Sequence, residues 1–93
     1  QGFLIYKING AECLIVDMFI DQAARKSGVG KNLVELLATQ AANEKCTHIA
    51  ANIHLADQGA SNTLMASLVA GFKVVRAEND CLVIVKELGG SNG

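Results

Sequence analysis

The hydrophobic residues of this chain fall into segments with two different periods. Residues 3–8 form a short, nearly continuous apolar run, and Cys13–Ile20 forms a second run interrupted only by Asp17. Between the two runs, Asn9 and Gly10 favour the positive φ angles of a tight hairpin turn. An apolar run without a polar face is typical of a strand that is covered on both sides. We therefore expect Cys13–Ile20 to lie in the middle of a sheet with both faces buried.

The period changes at Val29, where apolar residues begin to recur at helical spacing. The residues that share the apolar face are Val29, Leu33, Leu36, Leu37 and Ala41. Polar residues occupy the opposite face, namely Lys31, Asn32, Glu35, Thr39 and Asn43. This pattern predicts an amphipathic helix over about residues 28–45.

A period of two returns in residues 48–55. Apolar side chains there (Ile49, Ala51, Ile53 and Leu55) alternate with a second set (His48, Ala50, Asn52 and His54). Such alternation predicts a third strand with one apolar face.

A second helix is expected to follow this strand. Ser61 or Asn62 is a suitable N-cap, and Gly71 is placed to end the helix in a left-handed conformation. Its buried stripe is predicted to comprise Leu64, Met65 and Leu68. Residues 72–77 and 81–88 then predict two strands joined by a turn at 78–80.

The predicted order is strand, strand, helix, strand, helix, strand, strand, which indicates an α/β fold with one mixed sheet, two helices and a hairpin at each end. The chain has 93 residues, of which 51% are hydrophobic, enough for one core. We expect a single domain over residues 1–88 and a frayed tail over 89–93. Because residue 1 is Gln, we also expect that the natural chain starts before Gln1.

Charge and cysteine content exclude several functional classes. A net charge of -1 gives no positive field for nucleic-acid binding. No apolar run approaches the roughly 20 residues that span a bilayer, so no membrane partner is expected. Three cysteines without paired spacing predict reduced thiols in a cytoplasmic protein and no metal site.

The segment Arg25–Lys31 holds the strongest candidate for a binding site. It lies between the second strand and the first helix, where unpaired amides and the helix dipole favour phosphate. Gly28 and Gly30 allow the backbone to approach an anion closely, and the cations of Arg25, Lys26 and Lys31 add charge. Two known phosphate loops do not fit, because the P-loop pattern requires Gly at Arg25 and the dinucleotide pattern requires Gly at Leu33.

The remaining pattern is R-x-x-G-x-G, directly after a strand that ends Met18-Phe19-Ile20. This combination resembles the GNAT superfamily of acyl-coenzyme A N-acyltransferases, whose signature is [QR]-x-x-G-x-[GA] at the same junction. The resemblance continues through Asn52, the second helix and the pair Gly71-Phe72, and it covers about residues 3–88. It implies an acetyl-CoA-dependent N-acetyltransferase of small size that acts on a primary amine by direct attack in a ternary complex.

The resemblance also implies how the cofactor is held. Its pyrophosphate would accept hydrogen bonds from the segment that contains Arg25, Lys26, Ser27, Gly28, Val29 and Gly30, with Lys31 close by. The pantetheine arm would pair with the backbone of Met18 and Ile20, on a strand splayed from its neighbour. Asn62 would lie near the place of an Asn that family members carry at the start of the second helix.

Candidates for proton transfer are fewer. Glu12, at the start of the second strand, and His54, near the end of the third, are the two candidate bases. Family members commonly carry a Tyr acid four residues before the glycine that corresponds to Gly71, and this chain has Ser67 there. A serine hydroxyl is a poorer acid than a phenol.

Two further interpretations concern the activity and the oligomeric state of the domain. Ser67, together with the apparent absence of the family's first strand and of two helices on the acceptor side, favours a catalytically weak or inactive domain that binds coenzyme A or a partner. The high hydrophobic content of so small a chain favours a homodimer.

Overall fold

The computed structural model describes residues 2–20 and 29–88. They form five strands and two helices: β1 Gly2–Asn9, β2 Glu12–Ile20, α1 Val29–Asn43, β3 His48–His54, α2 Ala60–Val69, β4 Lys73–Glu78 and β5 Cys81–Glu87. The predicted order of elements is confirmed, with ends shifted by one or two residues. In the described part of the chain, neither helix is long and apolar enough to cross a membrane.

All five strands form one sheet in the order β1-β2-β3-β5-β4. β2 and β3 are parallel, while the other neighbours are antiparallel. The first hairpin turns through Gly10 at a φ of 63°, and the second through Asn79 at a φ of 54°. β2 therefore lies inside the sheet, between β1 and β3, as predicted.

One face of the sheet carries both helices and the core. Cys13, Ile49 and Ile84 project from three neighbouring strands and are at most 2% exposed. They pack in one cluster with Val34 and Leu37 of α1. Leu64, from α2, packs against the edge of the same cluster.

The opposite face of the sheet, which we call the open face, is covered by neither helix. The pairing register places Leu14, Ala50 and Val85 side by side on it. Val16 is 57% exposed, and Asp17 is exposed as well. The prediction that β2 is buried on both faces is therefore wrong for the described residues, because the second helix packs on the same side as the first.

The buried face of α1 is rotated from the predicted one. Val34, Leu37 and Ala41 are buried, whereas Leu36 is 68% exposed. Positions 34, 37, 38 and 41 follow the spacing of three and four that a helix presents to a core. The prediction that Leu36 is buried is wrong, since it lies roughly 100° around the helix from Leu37.

The second helix is more exposed than its sequence predicts. Met65 is 65% exposed and Leu68 is 46% exposed, so the predicted stripe is wrong at these two positions. The N-cap is Gly59, without a side-chain cap, and the helix starts at Ala60. Ser61 and Asn62 thus lie within its first turn and cap nothing.

The end of α2 agrees with the prediction. Gly71 has a φ of 102°, a left-handed conformation that glycine adopts at low cost. Phe72 follows it outside β4 and is buried at 4% exposure. Leu55, which the alternation placed on the apolar face of β3, lies instead in the turn after the strand and is 50% exposed.

Candidate functional site

β2 and β3 separate part of the way along their length. Their parallel pairing starts at Glu12 with His48 and ends at Ile15 with Ala51. Both strands continue beyond that point, β2 to Ile20 and β3 to His54. Within the described residues, the facing edges of these two continuations form no ladder with each other. The sheet therefore contains a wedge, bounded by residues 16–20 on one side and 52–54 on the other.

A bulge in β2 marks the start of the wedge. Tyr6 pairs with Ile15 and Ile5 pairs with Asp17, so Val16 has no partner on β1. An extra residue of this kind bends its strand and increases the local twist. Because the bulge immediately follows the last pair with β3, it gives a physical cause for the separation of the strands.

The backbone at the wedge has an unusual hydrogen bond. The N–H of Met18 donates to Oδ1 of Asp17 at 2.9 Å. Met18 is one of the two residues whose backbone the sequence assigned to a pantetheine arm, and alternate residues direct their N–H groups to the same side of a strand. Ile20 therefore shares this direction. Asp17, the residue that interrupts the apolar run of β2, borders the wedge and is exposed.

The wedge lies at the same edge of the sheet as the start of α1. β2 ends at Ile20 and α1 begins at Val29, and a helix that connects two parallel strands starts at the carboxyl edge of the sheet, where the wedge opens. Lys31 is exposed in the first turn, which contains no acidic residue. Of the predicted phosphate-binding segment, Arg25, Lys26, Ser27 and Gly28 lie outside the described residues.

Glu12 is the first of a series of polar groups on the open face that lie within hydrogen-bonding distance of one another. Nε2 of His48 lies 3.1 Å from Oε1 of Glu12. The other ring nitrogen, Nδ1, lies 3.0 Å from Oγ1 of Thr47. That hydroxyl lies 3.4 Å from the carbonyl oxygen of Ala11. The side chain of His48 is 28% exposed and that of Glu12 is 39% exposed, so solvent reaches both.

The sequence analysis named Glu12 but not His48 as a candidate for proton transfer. The alternation in β3 places His48 and His54 on one face, but it does not show which strand lies beside them. The parallel register between β2 and β3 is what brings His48 to Glu12. No local sequence pattern specifies that register.

The other two catalytic candidates are placed differently. His54 is exposed at the end of β3, on the wedge side of the last β2–β3 pair. Six residues of strand separate it from His48, which is about 20 Å. Ser67 donates its hydroxyl to the carbonyl of Thr63 at 2.7 Å, within its own helix.

The three cysteines act mainly as packing residues. Cys13 and Cys46 are buried, Cys81 is half-buried, and all three are free thiols. Burial raises the pKa of the Cys13 thiol, and Cys46 and Glu12 add to the rise. A raised thiol pKa lowers the fraction of reactive thiolate.

Three solved structures share this architecture. A PaiA N-acetyltransferase from Thermoplasma acidophilum in complex with coenzyme A superposes with a TM-score of 0.83 at 16% identity, over 92% of this chain and 52% of that one. Nourseothricin acetyltransferase superposes with a TM-score of 0.83 at 17% identity, over 95% of this chain and 58% of that one. The ribosomal-protein-S18-alanine N-acetyltransferase from Escherichia coli superposes with a TM-score of 0.73 at 18% identity, over 99% of this chain and 63% of that one. At such identities the similarity shows the fold, and this chain spans about half to two-thirds of their length.

A comparison with curated protein sequences gives no match. Residues 1–66, more than half of the chain, match the family described as "Acetyltransferase (GNAT) family". The order of elements, the wedge between the parallel strands and the helix start beside it agree with that match. The chain belongs to the GNAT acetyltransferase family.

Proposed function

We propose that this domain binds acetyl-CoA in the wedge between β2 and β3 and transfers the acetyl group to a primary amine by direct attack in a ternary complex. The observation that carries the proposal is the end of the β2–β3 ladder at Ile15 and Ala51, while both strands continue. The related T. acidophilum structure was solved in complex with coenzyme A, which supports the same ligand class for this chain.

The wedge suits an extended ligand that carries amides. Pantetheine contains amide groups, and an extended arm can complete an unpaired strand edge by backbone hydrogen bonds. The side of β2 that contains the N–H groups of Met18 and Ile20 would hold it. The bond from Met18 to Asp17 must be shared or released when the arm binds, because one N–H serves both acceptors.

The start of α1 suits the diphosphate. Its first turn combines unpaired N–H groups and a partial positive charge with Lys31, a cation that the helix dipole alone disfavours at this position. A bound diphosphate would remove that conflict. The segment 25–30 supplies the remaining amides in this proposal.

Glu12 is the candidate base that the geometry favours. Transfer forms a C–N bond and breaks the thioester C–S bond, so a proton must leave the attacking ammonium or amine. Glu12 is held by a hydrogen bond to His48 on the open face, whereas the side chain of His54 has no hydrogen-bond partner among the described residues. Bound acetyl-CoA would supply the activated acyl group, and backbone N–H groups at the wedge would polarise its carbonyl.

The first experiment measures thermal unfolding with and without acetyl-CoA. A ligand at ten times its Kd that binds only the folded state adds about 1.4 kcal/mol, which raises the Tm of a domain this size by several degrees. Release of free thiol with a panel of primary amines then tests transfer. No Tm shift would contradict the binding site, and a shift without thiol release would contradict the transfer step.

A charge-matched pair of variants tests the helix start. We expect Lys31→Glu to reduce the Tm shift with acetyl-CoA strongly, because it places a negative charge where the diphosphate binds. Lys45→Glu makes the same change in net charge at the opposite end of α1 and should leave the shift as in the wild type. Equal shifts in the two variants would contradict the assignment of the diphosphate to this helix start.

A second candidate function is coenzyme A binding without efficient turnover. The Ser67 hydroxyl already donates to Thr63 and is a weak acid, so it is poorly suited to protonate a leaving thiolate. Replacement of Ser67 by Tyr provides the test. Faster thiol release in Ser67→Tyr than in the wild type would show that the missing acid limits transfer.

A further inference from the structure

We infer that His48 is a positioning residue for Glu12 in the acetyl transfer, an inference that rests on the proposed function. Glu12 on β2 and His48 on β3 face each other in register at the start of the parallel pair. Their side chains meet on the open face, with 3.1 Å between Oε1 and Nε2. This contact links β2 to β3 at the paired end of the two strands, which lies away from the wedge.

The hydrogen-bonding chemistry fixes which ring nitrogen donates to Glu12. An ionised carboxylate can only accept, so the proton in the contact with Glu12 lies on Nε2 of His48. Nδ1 lies 3.0 Å from the hydroxyl oxygen of Thr47, which in turn lies 3.4 Å from the carbonyl oxygen of Ala11. Both ring nitrogens are therefore engaged, and the imidazole is held from two sides.

The same contacts divide the roles of the two carboxylate oxygens. Oε1 accepts from His48, which leaves Oε2 of Glu12 as the oxygen that can take a proton. Neighbouring groups on this part of the open face are Asn9, opposite Glu12 on β1, and Glu87, opposite His48 on β5. Among the described residues, Glu12 contacts the imidazole and Glu87 does not.

Orientation matters here because the base lies at some distance from the wedge. Three residues of strand separate Glu12 from the last β2–β3 pair, which is about 10 Å. Because His48 lies directly opposite Glu12, the carboxylate stays near its own register position, and a short line of bridging waters covers the span to the wedge. A carboxylate that rotated freely would spend part of its time on the side of β1, away from the seam between β2 and β3 that opens into the wedge. By holding Oε1, His48 reduces that freedom before substrate binds.

Steady-state kinetics of His48 variants with an amine that the wild type acetylates test the inference. We expect His48→Ala to lower kcat by about tenfold to a hundredfold, part of the 10²–10⁴-fold that general base catalysis contributes. The KM for acetyl-CoA should stay within about twofold of the wild-type value, since transition-state effects appear in kcat. His48→Gln, which keeps an N–H donor on a side chain of similar reach, should recover most of the lost kcat.

Two further variants act as controls. Thr47→Val removes the hydroxyl from Nδ1 while it keeps the side-chain shape, and it should lower kcat by less than His48→Ala does. Glu87→Gln removes the other carboxylate beside His48 and should leave kcat unchanged. The Tm of each variant, with and without acetyl-CoA, shows whether it folds and binds the cofactor.

The possible results separate this inference from the proposed function. An active wild type with unchanged kcat in His48→Ala overturns the role of His48 alone. The role of His48 is also overturned if His48→Gln does not recover the lost kcat, or if Glu87→Gln loses as much kcat as His48→Ala does. A wild type that transfers to no amine overturns the transfer step, and the role of His48 with it.

Discussion

At the residue scale, Cys13 links burial to the pH dependence of stability. Its side chain is fully buried, and its thiol pKa is raised by that burial first and by Cys46 and Glu12 second. In the unfolded chain the same thiol ionises at its ordinary pKa. Between the ordinary and the raised pKa, the folded state therefore binds more protons than the unfolded state. The contribution of this thiol to the free energy of unfolding is fully present below this window and is lost as the pH rises through it.

We expect Cys13→Ala to weaken this alkaline loss of stability. The slope that one such group contributes is at most about 1.4 kcal/mol per pH unit. Urea unfolding of the wild type and the variant at a series of pH values around and above the ordinary thiol pKa gives the two slopes. Identical slopes for Cys13→Ala and the wild type would contradict the expectation.

The contrast between Glu12 and Ser67 is also visible at this scale. Each was named for its chemistry, and each has a hydrogen-bond partner. Glu12 bonds to His48 on another strand, which leaves one carboxylate oxygen available. Ser67 donates its only hydroxyl proton to the carbonyl of Thr63 in its own helix. The chemistry of a side chain is therefore set by its partner as much as by its type.

At the scale of elements, α1 shows how a helix selects its buried face. Leu36 and Leu37 are neighbours of the same type with equal helix propensity, yet they are 68% and 4% exposed. The periodicity predicted the helix but placed both leucines inside. Packing against the sheet decided between them, because the two positions lie about 100° apart around the helix and the sheet covers the side of Leu37.

These two leucines provide a matched test of the fold. Leu37→Ala should lower the free energy of unfolding by about 2–5 kcal/mol, the range for buried leucine truncation. Leu36→Ala should change it by less than about 0.5 kcal/mol, as expected for an exposed site. Chemical denaturation of both variants measures the difference. Comparable losses would mean that α1 packs in a different rotation.

At the scale of the whole molecule, the sheet has one covered and one open face. The open face carries Ile5 on the edge strand and Val16 at the bulge, which are 50% and 57% exposed, whereas Ala50 at its centre is 5% exposed. Apolar surface of this kind favours association. We propose that a second copy of this chain covers it in solution, as the hydrophobic content of the sequence led us to expect.

A pair of variants tests this dimer. Ile5→Lys places a charge on the open face and should weaken association by at least about tenfold, since it buries an unpaired cation. Leu36→Lys makes the same kind of change on the outer side of α1 and should not affect it. Sedimentation equilibrium over a range of protein concentrations gives the molecular mass of each. A monomeric wild type at all concentrations, or equal behaviour of both variants, would contradict the dimer.

The sequence by itself determined the elements of this protein and their order. Periods of two and of 3.6 residues are local properties of the chain, so strands, helices and the glycine turns at Gly10 and Gly71 follow from short segments. The motif R-x-x-G-x-G and its position between a strand and a helix were also local, and they sufficed to predict the family that residues 1–66 match.

The tertiary structure alone decided which elements meet. Both helices pack on one face, so β2 is half open although its sequence suits a strand buried on both sides. The bulge at Val16 and the end of pairing at Ile15 create the wedge. The same register brings His48 to Glu12 across 36 positions in the sequence. Register depends on contacts between distant segments, and no window of neighbouring residues contains that information.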